Sequence, residues 1–332
     1  MQETVFWRVH LARARSADEL RLLTKVSRLY YDDGLNQDDI VARLHLSRSK
    51  VSRLLQQARD EGIVKTVIIS PPGIYSEVEG RLEAKYRVQE VIVAEVRDAE
   101  SPEMLSRELG AAAASYLLRV ISDDEIIGIA WGYTISGMVT ALEAKAYPNV
   151  HVVQMTGGIG KPESETYATE LCHRMARLLS CKLVLLPAPG VVMDQRMREV
   201  YLADNHIQMA ISLFSKITLA FVGVGSPTSH TILARDSSIL TQEDLTDVLH
   251  HQAVGDIALR FIDEHGQLVS SEMDQRVIGI DLDQLKKIPR VVGVAGGSTK
   301  VEAIRGALRG GLLDVLITDR ATAEALLASS QS

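Results

Sequence analysis

NQDDIVARLHLSRSKVSRLL, residues 36–55, reads as two short helices joined by a tight turn. Ile40, Val41 and Leu44 share one face of the first, and Val51, Leu54 and Leu55 recur at helical spacing on the second, so each helix can bury one stripe against the other. Asn36 suits an N-cap with Asp39 three residues on, and Ser47 suits the N-cap of the second helix. The turn runs through Leu44-His45-Leu46-Ser47, with His45 where glycine is commonest. This layout is that of a helix-turn-helix, whose second helix enters the major groove of DNA with its N-terminal residues toward base edges.

The chemistry of that second helix fits the layout. Ser47, Arg48, Ser49, Lys50, Ser52 and Arg53 supply the basic and hydroxyl groups that base edges and phosphates require, while the positions expected to be buried stay aliphatic. Arg48, Ser49 and Ser52 are the candidates for reading bases, and Lys50 and Arg53 can equally grip phosphates. A solvated, charged helix hairpin in another helical domain would carry the same pattern. Upstream, DELRLLTKVSRLYYDD (18–33) places Leu20, Leu23, Val26, Leu29 and Tyr30 at helical spacing, a third helix that braces the other two. Downstream, IVKTVIIS (63–70) alternates and is rich in β-branched residues, as a strand or wing would be, with Lys65 placed to touch a phosphate.

At 332 residues the chain can hold a small and a large domain, and 46% hydrophobic with 24% charged residues is a globular composition. No apolar run reaches the roughly 20 residues of a membrane span, and the first sixteen residues lack the apolar core of a secretory signal. Cys172 and Cys181, without partners at metal-ligand spacing, suit a reducing cytoplasm rather than a disulfide or zinc framework. The net charge of −7 is uneven: residues 1–70 carry 12 basic against 9 acidic side chains, and the remainder 24 against 34, a basic head on an acidic body.

Pro71-Pro72-Gly73 marks the expected boundary between them. The expected organisation is an N-terminal extension (1–17), a DNA-binding domain (18–70), a linker helix (71–89) and an α/β domain (90–332). Strands are expected at 90–96, 126–132, 150–157, 182–189, 217–225, 290–297 and 313–319, with helical patterns at 103–121, 133–145, 164–180, 241–249 and 299–309. Near-continuous apolar strands alternating with helices mean a mostly parallel, doubly covered sheet, which binds ligands at the C-terminal ends of its strands.

Four strand ends finish in glycine: Gly132-Tyr133-Thr134, Gly157-Gly158-Ile159-Gly160, Gly223-Val224-Gly225 and Gly296-Gly297-Ser298-Thr299-Lys300. Glycine lets backbone amides approach an anion, a following helix adds partial positive charge, and Lys300 can neutralise a phosphate. Plain turn chemistry would also explain the glycines. No loop matches GxxxxGK[ST] or opens a proper GxGxxG, which disfavours nucleotide binding by those routes. Asp256, in AVGDIALRF, can bind sugar hydroxyls or cap a following helix, and Asp194 carries the same ambiguity. His230 and Arg235 follow the third glycine loop and can approach a ligand or lie in solvent, whereas Trp131 reads as core and His250-His251 as a surface pair.

The head YYDDGLNQDDIVARLHLSRSKVSRLLQQARDEGIV, followed by GIAWGYT, VVQMTGGIG, LPAPG, FVGVG, AVGDIALRFIDEHG and RVVGVAGGSTKVEAIRGALRGGLLDVLITD, resembles the SorC/DeoR-like sugar-responsive transcriptional regulators of bacteria over about residues 20–327. The resemblance implies an N-terminal winged helix-turn-helix and a C-terminal, Rossmann-like effector-binding domain related to glucosamine-6-phosphate deaminase and ribose phosphate isomerase. It further implies a homodimer or homotetramer on double-stranded operator DNA, a repressor's role at a carbohydrate operon, and a phosphorylated sugar or polyol effector, with no cofactor. Within it, the Gly132 to Thr134 loop, Gly157, Gly158 and Lys300 would lie at the phosphate-binding end with Asp256 near the sugar; Gly225 and Gly297 are candidates from the glycine loops themselves. The related deaminases carry an acid and a histidine after their GxG loop, whereas Gly225 here runs into Ser226-Pro227-Thr228. No general base is placed for proton shuttling, so the expectation is a regulator and not an isomerase.

Overall fold

The computed structural model describes residues 17–65, 71, 73–158, 168–227 and 240–328. The chain divides into two compact units, residues 1–69 and 70–332. Most of the extension, the second half of the expected wing strand, Ile159, Gly160, Thr228, His230 and Arg235 fall outside the described residues.

The first unit contains α1 (Ala17–Tyr31), α2 (Gln37–Leu44) and α3 (Arg48–Asp60). Val26, Leu29, Ile40, Val51 and Leu55 form its buried core, with Val41, Leu44 and Leu54 partly buried against it. Each fully buried aliphatic side chain contributes about 1.5–3 kcal/mol. Leu20, expected on the inner stripe, is 44% exposed instead, one turn before the α1 residues that meet the core. The helix ends match the cap chemistry of the sequence. Asn36 and Asp39 form a reciprocal capping box, and the Ser47 hydroxyl accepts the Lys50 amide. His45 adopts a left-handed φ of 53°, the conformation for which glycine is commonest at this turn.

The second unit is built on a seven-stranded sheet in the order β1-β9-β8-β5-β2-β3-β4, parallel throughout. The strands are β1 (Glu90–Ala94), β2 (Ile126–Ile129), β3 (His151–Gln154), β4 (Lys182–Val184), β5 (Leu219–Val222), β8 (Val291–Val294) and β9 (Val315–Asp319). Their side chains alternate between two cores. Ile127, Ile129, Leu219 and Phe221 pack on one face with Leu109, Leu117, Met138 and Met175, and Ala220, Val222 and Leu316 pack on the other with Phe214, Ile304 and Leu308. The seven expected strands are these seven, each trimmed where the chain leaves the ladder.

Three features depart from the sequence reading. Residues 255–262 form an antiparallel hairpin, β6 (Gly255–Ile257) and β7 (Arg260–Ile262), so no helix follows Asp256 for it to cap. Two short helices fill 195–202 and 205–212, capped by Asp194, whose carboxylate accepts the Met197 amide, and by Asp204. Asp194 is therefore a capping residue. The helix expected as a linker, α4 (Ser76–Tyr86), is an integral part of the second unit: Leu82 is buried in its core. Glu79 and Glu83 each accept a backbone N–H of the edge strand β1, from Val93 and Val91, at 2.9 Å. That covers an edge which would otherwise be free to pair.

Candidate functional site

The order of the sheet determines where its loops can gather. β2 is followed in space by β3 and β4 on one side, while β5 lies on its other side, so the chain changes direction between β2 and β5. Loops leaving two such strands diverge and open a crevice at their C-terminal ends. Here the crevice is a cleft lined by Trp131 to Thr134 after β2, Gly223 to Gly225 after β5, Asp256 and Ala258 of the hairpin, and Lys300 beyond β8.

Gly132, at φ 130°, opens the helix α6 (Tyr133–Ala141), whose N-terminus has no side-chain cap. A helix start without a side-chain acceptor presents backbone donors and partial positive charge. A Cβ at Gly132 would meet nothing within 4 Å, so the position needs glycine for its backbone angle and not for space. The Thr134 hydroxyl is 2.6 Å from the Val294 carbonyl, to which it donates, tying α6 to the end of β8. Its proton is committed to the fold, and what it can offer a ligand is a lone pair.

Gly225 and Asp256 exchange backbone hydrogen bonds of 2.9 and 3.1 Å, which carries the hairpin onto the end of β5. The Asp256 carboxylate is buried, accepts the Leu259 amide, and abuts the α-carbon of Gly225 where any Cβ would overlap it. Burial pushes its pKa up to about 6, against the opposing pull of the Leu259 amide and of Lys300. Burial also depresses Lys300, with the Asp256 charge opposing that shift. The cleft thus holds one acid and one base, each pushed toward its neutral form by desolvation and pulled back toward the charged form by the other. The hairpin turn is strained: Ala258 and Leu259 both take left-handed φ, 53° and 68°, at about 1–2 kcal/mol each.

Six of the expected effector residues come together here: Gly132, Tyr133, Thr134, Gly225, Asp256 and Lys300. Gly157, Gly158 and Gly297 do not line the cleft. The Gly157 amide donates to Ile278 and that of Gly158 to Ala188, and a Cβ on Gly157 would strike Pro189, so these glycines serve packing. The Gly297 amide donates to Asp319 and Thr322, leaving it no donor for an anion. The cleft also takes in Trp131, Gly223, Val224 and Ala258. Trp131 was expected as core; it packs on a core cluster and also forms a wall of the cleft. Ala258 carries no chemical signal that sequence could have used.

In the first unit, Ser47, Arg48, Ser49, Lys50, Ser52, Arg53 and Lys65 are all exposed. Arg48 lies 3.6 Å from Asp38 of α2, and Lys50 and Arg53 line a surface hollow together with Glu19 of α1. Helical spacing puts Ser49, Arg53 and Gln56 opposite the buried Val51 and Leu55. Gln56, bonded to Arg59 and Asp60, extends this outer face by one turn beyond the residues singled out in the sequence.

A family model described as "Putative sugar-binding domain" matches residues 71–328. The "Deoxyribonucleoside regulator" of Bacillus subtilis is 33% identical over 312 residues, covering 93% of this chain and 98% of that protein. The "Sorbitol operon regulator" of Klebsiella pneumoniae is 30% identical over 94% of this chain and 99% of its own length. The crystal structure of full-length SorC from Klebsiella pneumoniae superposes with a TM-score of 0.71 at 30% identity, covering 94% of this chain and 100% of that one. These relatives carry the names of regulators and not of enzymes. The chain belongs to the SorC/DeoR-like family of sugar-binding transcriptional regulators.

Proposed function

We propose that this regulator grips an operator through a winged helix-turn-helix in its first unit and answers to a phosphorylated sugar or polyol in the cleft of its second. Arg48, Ser49 and Ser52 read bases, Lys50, Arg53 and Lys65 hold phosphates, and Ser47 caps the recognition helix. The effector's phosphate sits between the uncapped start of α6 at Gly132 and Tyr133, the Gly223 to Gly225 turn, and Lys300. Its hydroxyls meet Asp256 and the rim at Thr134. Gly157, Gly158 and Gly297 shape the loops behind without touching it. The chain acts as a homodimer or homotetramer repressing a carbohydrate operon, because two recognition helices must reach successive major grooves about 34 Å apart.

The observation that carries this reading is the meeting of an uncapped helix start, a lysine and an acid at the point where the sheet changes direction. An anion answers the first two, and a neighbouring polyhydroxy body answers the third. A thermal-shift screen with phosphorylated and free sugars and polyols, on the wild-type chain and on Lys300→Ala, tests it. A ligand at 100 times its Kd stabilises by about 2.7 kcal/mol. A shift seen with a phosphorylated compound and lost in Lys300→Ala supports the reading; equal shifts with free sugars contradict it.

A further inference from the structure

Between the cleft and the helix that follows the DNA-binding unit runs one short segment, residues 95–100, held at both ends. At its far end Ser298, in the 298–300 turn that carries Lys300, donates its hydroxyl to Glu100 at 3.1 Å. A Cβ added at Gly297 would stand 3.3 Å from the Ala99 carbonyl oxygen, so the segment passes close behind this turn. At its near end Glu95 accepts a hydrogen bond from the Tyr75 hydroxyl. Tyr75 is the residue from which α4 starts, and the Arg320 guanidinium lies 5.3 Å above its ring. An internal brace shapes the middle, where the Asp98 carboxylate accepts the Glu100 amide.

We propose that residues 95–100 are the strap that transmits occupancy of the cleft to the start of α4, the first helix of the second unit, Glu100 sensing the Lys300 turn and Glu95 acting on Tyr75. The physical reason is the contrast in how the two neighbours are held. β1 is paired to β9 along five residues, and α4 is fixed to β1 through Glu79 and Glu83. These contacts fix the body of α4 to β1, whereas Tyr75, ahead of its first turn, is held from outside by Glu95 and Arg320 and can be drawn without shifting the sheet. A ligand that draws Lys300 inward pulls Ser298 with it, Glu100 follows, and the pull arrives at Tyr75, ahead of the first turn of α4. Glu95, Glu100 and Tyr75 are positioning residues that touch neither ligand nor DNA. The proposal rests on reading the cleft as the effector site.

The test is hydrogen exchange of the full-length chain with and without saturating inorganic phosphate, on wild type, Glu100→Ala and Tyr75→Phe. In wild type, phosphate is expected to slow amides of 131–136 and 298–302 and, by about fivefold, the low end of ordinary allosteric coupling, those of 95–100 and 74–80. Glu100→Ala keeps the protection at 131–136 and loses the other two responses; Tyr75→Phe loses that at 74–80 alone. A role confined to stability would raise exchange without phosphate and leave the phosphate-dependent difference intact. Persistence of the response at 74–80 in Glu100→Ala, or its absence from wild type, overturns the strap. Absence of protection at 131–136 in wild type overturns the reading of the cleft itself, and the strap with it.

Discussion

Gly225 and Asp256 are locked to each other by a reciprocal pair of backbone hydrogen bonds, with the Asp256 carboxylate resting where a side chain at Gly225 would stand. The acid is therefore aimed by a glycine on a different strand end, and the two positions are expected to behave as one. Gly225→Ala should displace the carboxylate, costing about 1–3 kcal/mol of stability through overpacking. It should weaken a cleft ligand about tenfold, as loss of one charged hydrogen-bonding group does. Thermal melts with and without the phosphorylated ligand measure both.

Asp256 also makes stability depend on pH. Its carboxyl rises from 3.8 to about 6 on folding, so the folded state holds the proton more tightly than the unfolded one. Its contribution to stability is then fullest below about pH 4, falls as pH rises toward 6, and levels off above it; the loss is about 3 kcal/mol. Asp256→Asn, which cannot ionise, should remove this slope. Urea unfolding at pH 4.5 and 7 should show the variant gaining on wild type at the higher pH.

The turn between α2 and α3 carries a strain that one substitution can release. His45→Gly removes a left-handed penalty of about 1–2 kcal/mol and adds back about 0.5–1 kcal/mol of chain entropy, a net gain near 0.5–1 kcal/mol. Slower amide exchange across residues 37–60 would report it.

Glu79 and Glu83 protect the β1 edge. Replacing both with alanine leaves the Val91 and Val93 amides without their acceptors. The pair should cost about 2 kcal/mol, below the roughly 3–6 kcal/mol of two fully buried charge-assisted bonds, because water reaches this edge. The variant should also self-associate on warming, visible by light scattering.

Much of this architecture is legible in the sequence because its strands are buried on both faces and its helices carry clear apolar stripes. Runs such as ITLAFVGVG and RVVGVAGG declare themselves, although the ladder releases the chain several residues before the apolar run ends. The 255–262 hairpin is hidden because its turn is Ala258-Leu259, with none of the glycine or asparagine that normally marks two left-handed residues. Helix 195–202 is hidden for another reason: it buries none of its residues, so no stripe betrays it. Gly157 and Gly225 both end strands in the sequence. They differ only in the strand order, which places Gly225 at the change of direction between β2 and β5 and Gly157 against Pro189.

In the proposed function one ligand, bound by Lys300, controls the grip of Arg48 on DNA. The most direct measurement of this control is the affinity of the full-length chain for a duplex selected by it from a randomised pool, with and without the phosphorylated compound found in the thermal screen. Wild type should change its affinity by about 100-fold, a coupling near 2.7 kcal/mol. Lys300→Ala should bind the same duplex and no longer respond, and Arg48→Ala should lose the duplex while keeping the thermal shift. An undiminished response in Lys300→Ala, or loss of both DNA and ligand in Arg48→Ala, would contradict the account.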